Sequence, residues 1–182
     1  MGPRLPRGFY ARPTRAVARD LLGKTLVLED RAVRIVEVEA YLGRRDPASH
    51  AFRGVTARTA PMFGPAGHSY VYLSHGIYPC MNVVTEQPGV AGAVLLRGAE
   101  PIAGLMEDPR GLAGPGLLCL AMGITTALTA QDLVRSGLTI RDAPPIPARR
   151  VSRGPRIGLA PGDTASAQWR YWITGSPGVS RR

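Results

Sequence analysis

This sequence predicts an α+β fold in a single domain, and three observations predict it. Strand-like and helix-like segments follow one another without regular alternation, which argues against a doubly wound parallel sheet. The chain has 182 residues, the length of one ordinary domain with room for a full core, and no linker divides it. A tight hairpin with alternating aromatic residues stands near its middle.

The elements follow in order. Residues 1–12 carry Arg4, Arg7 and Arg12 among Gly and Pro and read as a flexible basic arm. Pro13 opens a short helix over 13–22, with Val17 and Leu21 four apart and Gly23 as its stop. Strands are expected at 25–29 and 33–41. In the second, Val36, Val38 and Ala40 point one way, and Ile35, Glu37, Glu39 and Tyr41 the other. Residues 42–69 form a long loop dense in Arg, Gly and Pro that holds His50 and His68, and such loops inside compact domains are usually functional. The hairpin comprises 70–73, a turn at Ser74-His75-Gly76, and a return strand over 77–84. Pro79 marks that return strand as an edge or a bulged one. A further strand is expected at 91–97, and short helices at 117–122, closed by Gly123, and 131–136, opened by Thr129 with Asp132 three residues on. The last strand lies around 169–174.

Composition narrows the function. Twenty-three basic residues face thirteen acidic ones, for a net charge of +10 and a pI near 10.7. All but Lys24 of the basic residues are arginine, which holds phosphates bidentately and is weakly hydrated, so a polyanion, and nucleic acid first, is the expected partner. A GC-rich coding bias accounts for arginine in place of lysine but not for the excess of ten. No apolar run approaches the roughly 18 residues that cross a bilayer, and the N-terminus lacks a secretion signal. Cys80 and Cys119 are too few for a disulfide scaffold or a structural zinc, so a cytoplasmic location is expected.

Glu37 and Glu39 are the most informative pair, sharing one face of a strand with α-carbons roughly 6–7 Å apart. Solvent-facing charges on a wet sheet would give the same pattern. Tyr41 continues the row into the basic loop, and a carboxylate beside an aromatic there suits a general base acting on nucleic acid. Tyr70 and Tyr72 alternate onto one face of the hairpin, with Tyr78, Cys80 and Asn82 along its partner. They fit stacking platforms for bases, and equally fit cross-strand packing. His75 at the tip fits either a wedge between base pairs or a solvated turn. Arg97, by itself, reads as a salt bridge at the core edge. Three dispersed histidines give no metal site, no Gly-rich loop cradles a phosphate, and no cofactor is expected.

Glu37-Val38-Glu39-Ala40-Tyr41-Leu42-Gly43, His50, Tyr70-Val71-Tyr72, Gly76-Ile77-Tyr78 and Met81-Asn82-Val83 together resemble the alkyladenine (3-methyladenine) DNA glycosylases. Leu95 to Pro101 and the closing Gly175-Ser176-Pro177 extend the likeness to nearly the whole chain. The resemblance implies a mixed or antiparallel curved sheet with short flanking helices and a protruding hairpin that meets DNA. It implies a monomeric, monofunctional repair enzyme that flips alkylated or deaminated purines from double-stranded DNA and hydrolyses the N-glycosidic bond. It further implies Glu39 as general base with Arg97 helping to hold the water, and Tyr41, His50, Tyr72 and Asn82 around the flipped base. His75 stands where many members carry the intercalating tyrosine, and Leu117 where the family often has lysine. An alkylated purine already carries positive charge and leaves readily, so one carboxylate suffices where glycoside hydrolysis ordinarily uses two. A non-catalytic nucleic-acid-binding module and a carbohydrate hydrolase using both glutamates are the competing readings.

Overall fold

A computed structural model describes residues 1–105, 108–159 and 167–180. Short helices α1 (Arg7–Tyr10) and α2 (Thr14–Leu21) precede β1 (Thr25–Leu28) and β2 (Arg31–Tyr41). The hairpin strands β3 (Ser69–Ser74) and β4 (Tyr78–Val84) come next, then β5 (Ala93–Ala103) and helix α3 (Pro115–Met122). The chain closes with β6 (Thr139–Arg141), β7 (Val151–Gly154) and β8 (Arg170–Ile173). The strands form one antiparallel sheet in the order β3-β4-β5-β2-β1-β6, with β8 also on β2 and β7 on β8. The α+β expectation holds.

β2 is the spine. β5 covers one edge over its whole length, while β1 pairs with its first half and β8 with residues 37–39 on the other. Both faces of β2 are buried from Ile35 to Ala40, so it reads as a nearly continuous apolar run interrupted only by the two glutamates. Register shifts around Glu37 mark a bulge against β5, which no local sequence pattern announces.

Helix α2 buries Thr14, Val17, Ala18 and Leu21, the i, i+3, i+4, i+7 stripe of a core-facing helix. Its first N–H groups have no intrahelical partner. Glu86, from the loop after β4, accepts from the Thr14 N–H at 2.9 Å and from its hydroxyl, placing a negative charge at the helix N-terminus. Helix α3 begins on Pro115 and stops at Gly123, whose φ of 72° supplies the left-handed residue that closes many helices.

Three expectations need correction. Residues 1–12 do not form a free arm: Leu5 and Tyr10 are buried in the core, Arg4 bridges to Arg141, and Arg7 pairs with Asp132 at 2.6 Å. The burial of two large apolar side chains outweighs the solubility of the three arginines. The helix over 131–136 does not form either. The Ala130 and Leu133 N–H groups donate to the carbonyls of Ser69 and Gly67 instead. A short helix nucleates poorly, and the open edge of β3 gives those groups better partners. Third, the strand expected at 91–97 starts two residues later and runs on to Ala103. Pro79 does sit where β4 has no second neighbour, since β4 meets β5 only from Asn82 to Val84.

Candidate active site

A pocket of about 240 Å³ opens between the hairpin, the 42–69 loop and the segment after β7. This is below the roughly 300–1,000 Å³ of sites for drug-sized ligands, so it suits one small flat group. Tyr41, His50, Tyr72, His75, Asn82 and Arg97 all line it. Six of the seven residues singled out from the sequence therefore meet at one cavity.

The seventh, Glu39, lies directly behind the wall. It is 0% exposed, which removes the reading as a solvent-facing charge. Its Oε2 accepts the Tyr41 hydroxyl at 2.9 Å and its Oε1 the Ile157 N–H at 2.8 Å, while Arg97 Nη1 stands 3.5 Å from Oε1. Tyr41, Ile157 and Arg97 are all lining residues, so Glu39 is one side-chain layer from the cavity. Burial pushes its carboxyl above the usual carboxylate range and Glu37 adds to that, while Arg97, Ile157 and Tyr41 oppose. Burial also raises the Tyr41 and Tyr72 hydroxyls, keeping both as neutral donors.

The aromatic wall is built by alternation. Tyr70 and Tyr72 project from one face of β3 with ring centroids 5.7 Å apart, and each pairs across the hairpin, with Asn82 and Cys80 respectively. His50 reaches them from the loop, edge-on to Tyr72 at 4.6 Å, with Nδ1 3.1 Å from the Tyr70 hydroxyl. Burial lowers the pKa of His50, and the nearby Arg58 charge lowers it further. Asn82 donates its amide N–H groups to the carbonyls of Tyr70 and Cys80, which fixes its side chain in the pocket lining. His75 has a φ of 50° and Gly76 of 72°, and the Ile77 N–H donates to the Ser74 carbonyl. Two central residues with positive φ give the twist of a type I′ hairpin turn. Histidine is among the side chains that tolerate that region best, and the turn holds His75 exposed at the tip.

Residues missed from the sequence complete the surroundings. Arg156 and Asp46, both fully buried, form a bidentate pair at 2.6 and 2.8 Å. The Arg156 guanidinium also lies over the Tyr41 ring at 4.5 Å and the Trp169 ring at 5.0 Å. Asp46 in turn accepts from the N–H groups of Leu42 and Ala48, which fixes the start of the loop that carries His50. Arg58 stands 5.5 Å over Tyr72, one more cation at the mouth. Leu117 is 47% exposed, and Tyr78, 49% exposed, lies beside it. Among the described residues no group of three or more His, Cys, Asp or Glu comes together as a metal site, and no helix is long and apolar enough to cross a membrane.

Among known proteins, this chain is similar throughout its length to DNA glycosylases. The methylpurine-DNA glycosylase family profile matches residues 8–177, and the chain belongs to that family. A Myxococcus xanthus (strain DK1622) protein named "Putative 3-methyladenine DNA glycosylase" is 48% identical, covering 97% of this chain and 93% of its own length. Proteins of the same name are 51% identical in Anaeromyxobacter dehalogenans (strain 2CP-1), covering 98% and 86%, and 48% identical in Methanocella arvoryzae, covering 99% and 97%. Family membership makes this a DNA-repair hydrolase of the glycosylase type, with DNA as its partner.

Proposed function

We propose that this protein takes an alkylated or deaminated purine out of duplex DNA into the 240 Å³ pocket and hydrolyses its N-glycosidic bond, leaving an abasic site. The observation that carries this reading is the buried Glu39, held by Arg97, Tyr41 and Ile157 immediately behind an aromatic pocket. The flipped purine stacks against Tyr41 and Tyr72, with His50 at its edge. A water admitted between Arg97 and Tyr41 gives its proton to Glu39 and adds to the sugar carbon as the purine departs with the glycosidic electron pair. An alkylated purine leaves neutral, and a deaminated one leaves as an anion that takes a proton from solvent. The developing cationic sugar is stabilised by the same carboxylate.

Extrusion costs a few kcal/mol, least at a damaged or mispaired base, and so contributes selectivity. His75 fills the gap in the stack, and the surrounding arginines hold phosphates. The reaction stops at the abasic site because, among the described residues, no lysine amine is placed to form a Schiff base. The chain's one lysine, Lys24, is 6% exposed and bound to Asp142 at 2.6 Å, and it does not line this pocket. The protein acts as a monomer in the cytoplasm, where the chromosome is its substrate.

Single-turnover excision of hypoxanthine from a duplex, read by alkaline cleavage, tests the assignment. Glu39→Gln keeps size but removes the basic lone pair, so the rate falls at least 10²- to 10⁴-fold while DNA binding persists. A Glu39→Gln protein that still excises would overturn the assignment, and a bound but uncleaved lesion in the wild type would leave only a binding module.

A further inference from the structure

Ser180 lies next to this machinery, and its hydroxyl has a defined chemical task. We propose that Ser180 is a positioning residue: its hydroxyl, with Glu37, locks one edge of the Arg97 guanidinium so that the other edge faces Glu39. The inference rests on the reading of Glu39 as the base.

Glu37 is 0% exposed. Its Oε1 accepts from Arg170 Nε at 2.6 Å and the Ser180 hydroxyl at 2.9 Å, and its Oε2 from the Ser180 N–H at 2.6 Å. A hydroxyl has one proton, and here it goes to the carboxylate, which only accepts. The Ser180 oxygen therefore meets Arg97 Nε as an acceptor, at 3.3 Å, and Glu37 Oε1 stands 3.3 Å from the same Nε. The Ser180 oxygen holds that edge by a hydrogen bond and the Glu37 carboxylate by its charge. The guanidinium is planar and rigid, so fixing Nε also fixes Nη1, the atom 3.5 Å from Glu39.

The route of the chain to this point is equally specific. The Ser176 hydroxyl donates to Glu100 on β5 at 2.6 Å. Beyond it the backbone runs flush against β5. A Cβ on Gly178 would lie 2.1 Å from the Ala99 carbonyl oxygen, and one on Gly98 2.3 Å from that of Gly178. Two side-chain-free positions let the segment pass close enough for Ser180 to reach Glu37.

Glu39 is surrounded by Glu37 and Tyr41 on β2, Arg97 on β5, Tyr72 on β3, Cys80 on β4 and Arg170 opposite it on β8. Arg97 opposes burial in setting its ionisation. A loosened Arg97 therefore moves the acid limb of the pH–rate profile to higher pH.

The experiment is single-turnover excision of hypoxanthine by the full chain across that limb, beside a DNA-binding titration. Ser180→Ala keeps the backbone anchor to Glu37. It is expected to lose roughly tenfold to a hundredfold in rate, the scale of a slightly misplaced catalytic group, and to shift the limb upward with binding unchanged. Ser180→Thr restores both. Should Ser180→Ala not fold, Ser180→Cys, similar in size but a weak acceptor, is measured in its place. A wild-type limb in the Ala or Cys variant, or failure of Thr to rescue, sinks the proposal. Glu39→Gln run alongside separates the two failures. If it is inactive, only the role of Ser180 falls, whereas an active Glu39→Gln protein removes the reading beneath it.

Discussion

Glu37 and Glu39 stand two apart on one strand, both wholly buried, and their partners distinguish them. Glu37 is enclosed by Arg170, Arg97 and the Ser180 backbone, whereas Glu39 is bounded by three pocket-lining residues. With Glu39 as the proposed base, the rate follows its loss of a proton, and burial raises that carboxyl. Excision is expected to fall with decreasing pH through a midpoint above the roughly 4.3 of an ordinary glutamate, and a midpoint at or below that value would contradict a buried base. Asn82, in the lining of the same pocket, is the proposed determinant of specificity. Guanine differs from hypoxanthine by one exocyclic amine. Asn82→Ser gives that amine room and is expected to release normal guanine from undamaged duplex, measured as free base. Release no higher than wild type would leave Asn82 as the strand residue that its bonds to Tyr70 and Cys80 also describe.

Between elements, the buried Asp46–Arg156 pair joins the loop that carries His50 to the segment that carries Ile157, and it backs the Tyr41 ring. Arg156→Met keeps much of the volume but strands a buried carboxylate. Removing one partner of such a pair costs about 3–5 kcal/mol, so denaturant unfolding is expected to show a loss of that order, and a change below about 1 kcal/mol would mean that Asp46 is solvated or neutral. The hairpin and β2 were legible in the sequence because alternation and turn residues are local signals, and they revealed Glu39, Tyr72 and His75. Asp46 with Arg156 and Glu37 with Ser180 were not, since these partners are 110 and 143 residues apart and no period connects them. Arg97 looked like a core-edge salt bridge and is one, to both glutamates. The helix expected over 131–136 failed for a related reason, because the edge of β3 that claims those N–H groups lies some 60 residues earlier.

For the whole molecule, the charge of +10 sets how DNA is approached, and burial sets what can be removed. Affinity for undamaged duplex is expected to fall with salt at a log–log slope of about −0.9 per phosphate neutralised. The N-terminal arginines belong partly to the fold, with Arg7 bound to Asp132 and Arg12 to Asp20. Deleting residues 1–12 uncovers the pocket of Leu5 and Tyr10, each burying about 1.5–3 kcal/mol worth of apolar surface. Thermal unfolding is therefore expected at a clearly lower temperature, and an unchanged midpoint would restore the picture of a free arm.

The strand that carries Glu39 has neighbours on both edges, and both of its faces are covered. Among the described residues, a strand enclosed in this way leaves the Glu39 backbone little freedom to move. On the proposed reading, the part that moves is then the nucleic acid. How often a purine swings clear of its own stack is decided by its neighbours in the duplex, so a single protein geometry would work at different speeds along one genome, fastest where flanking steps unstack most readily.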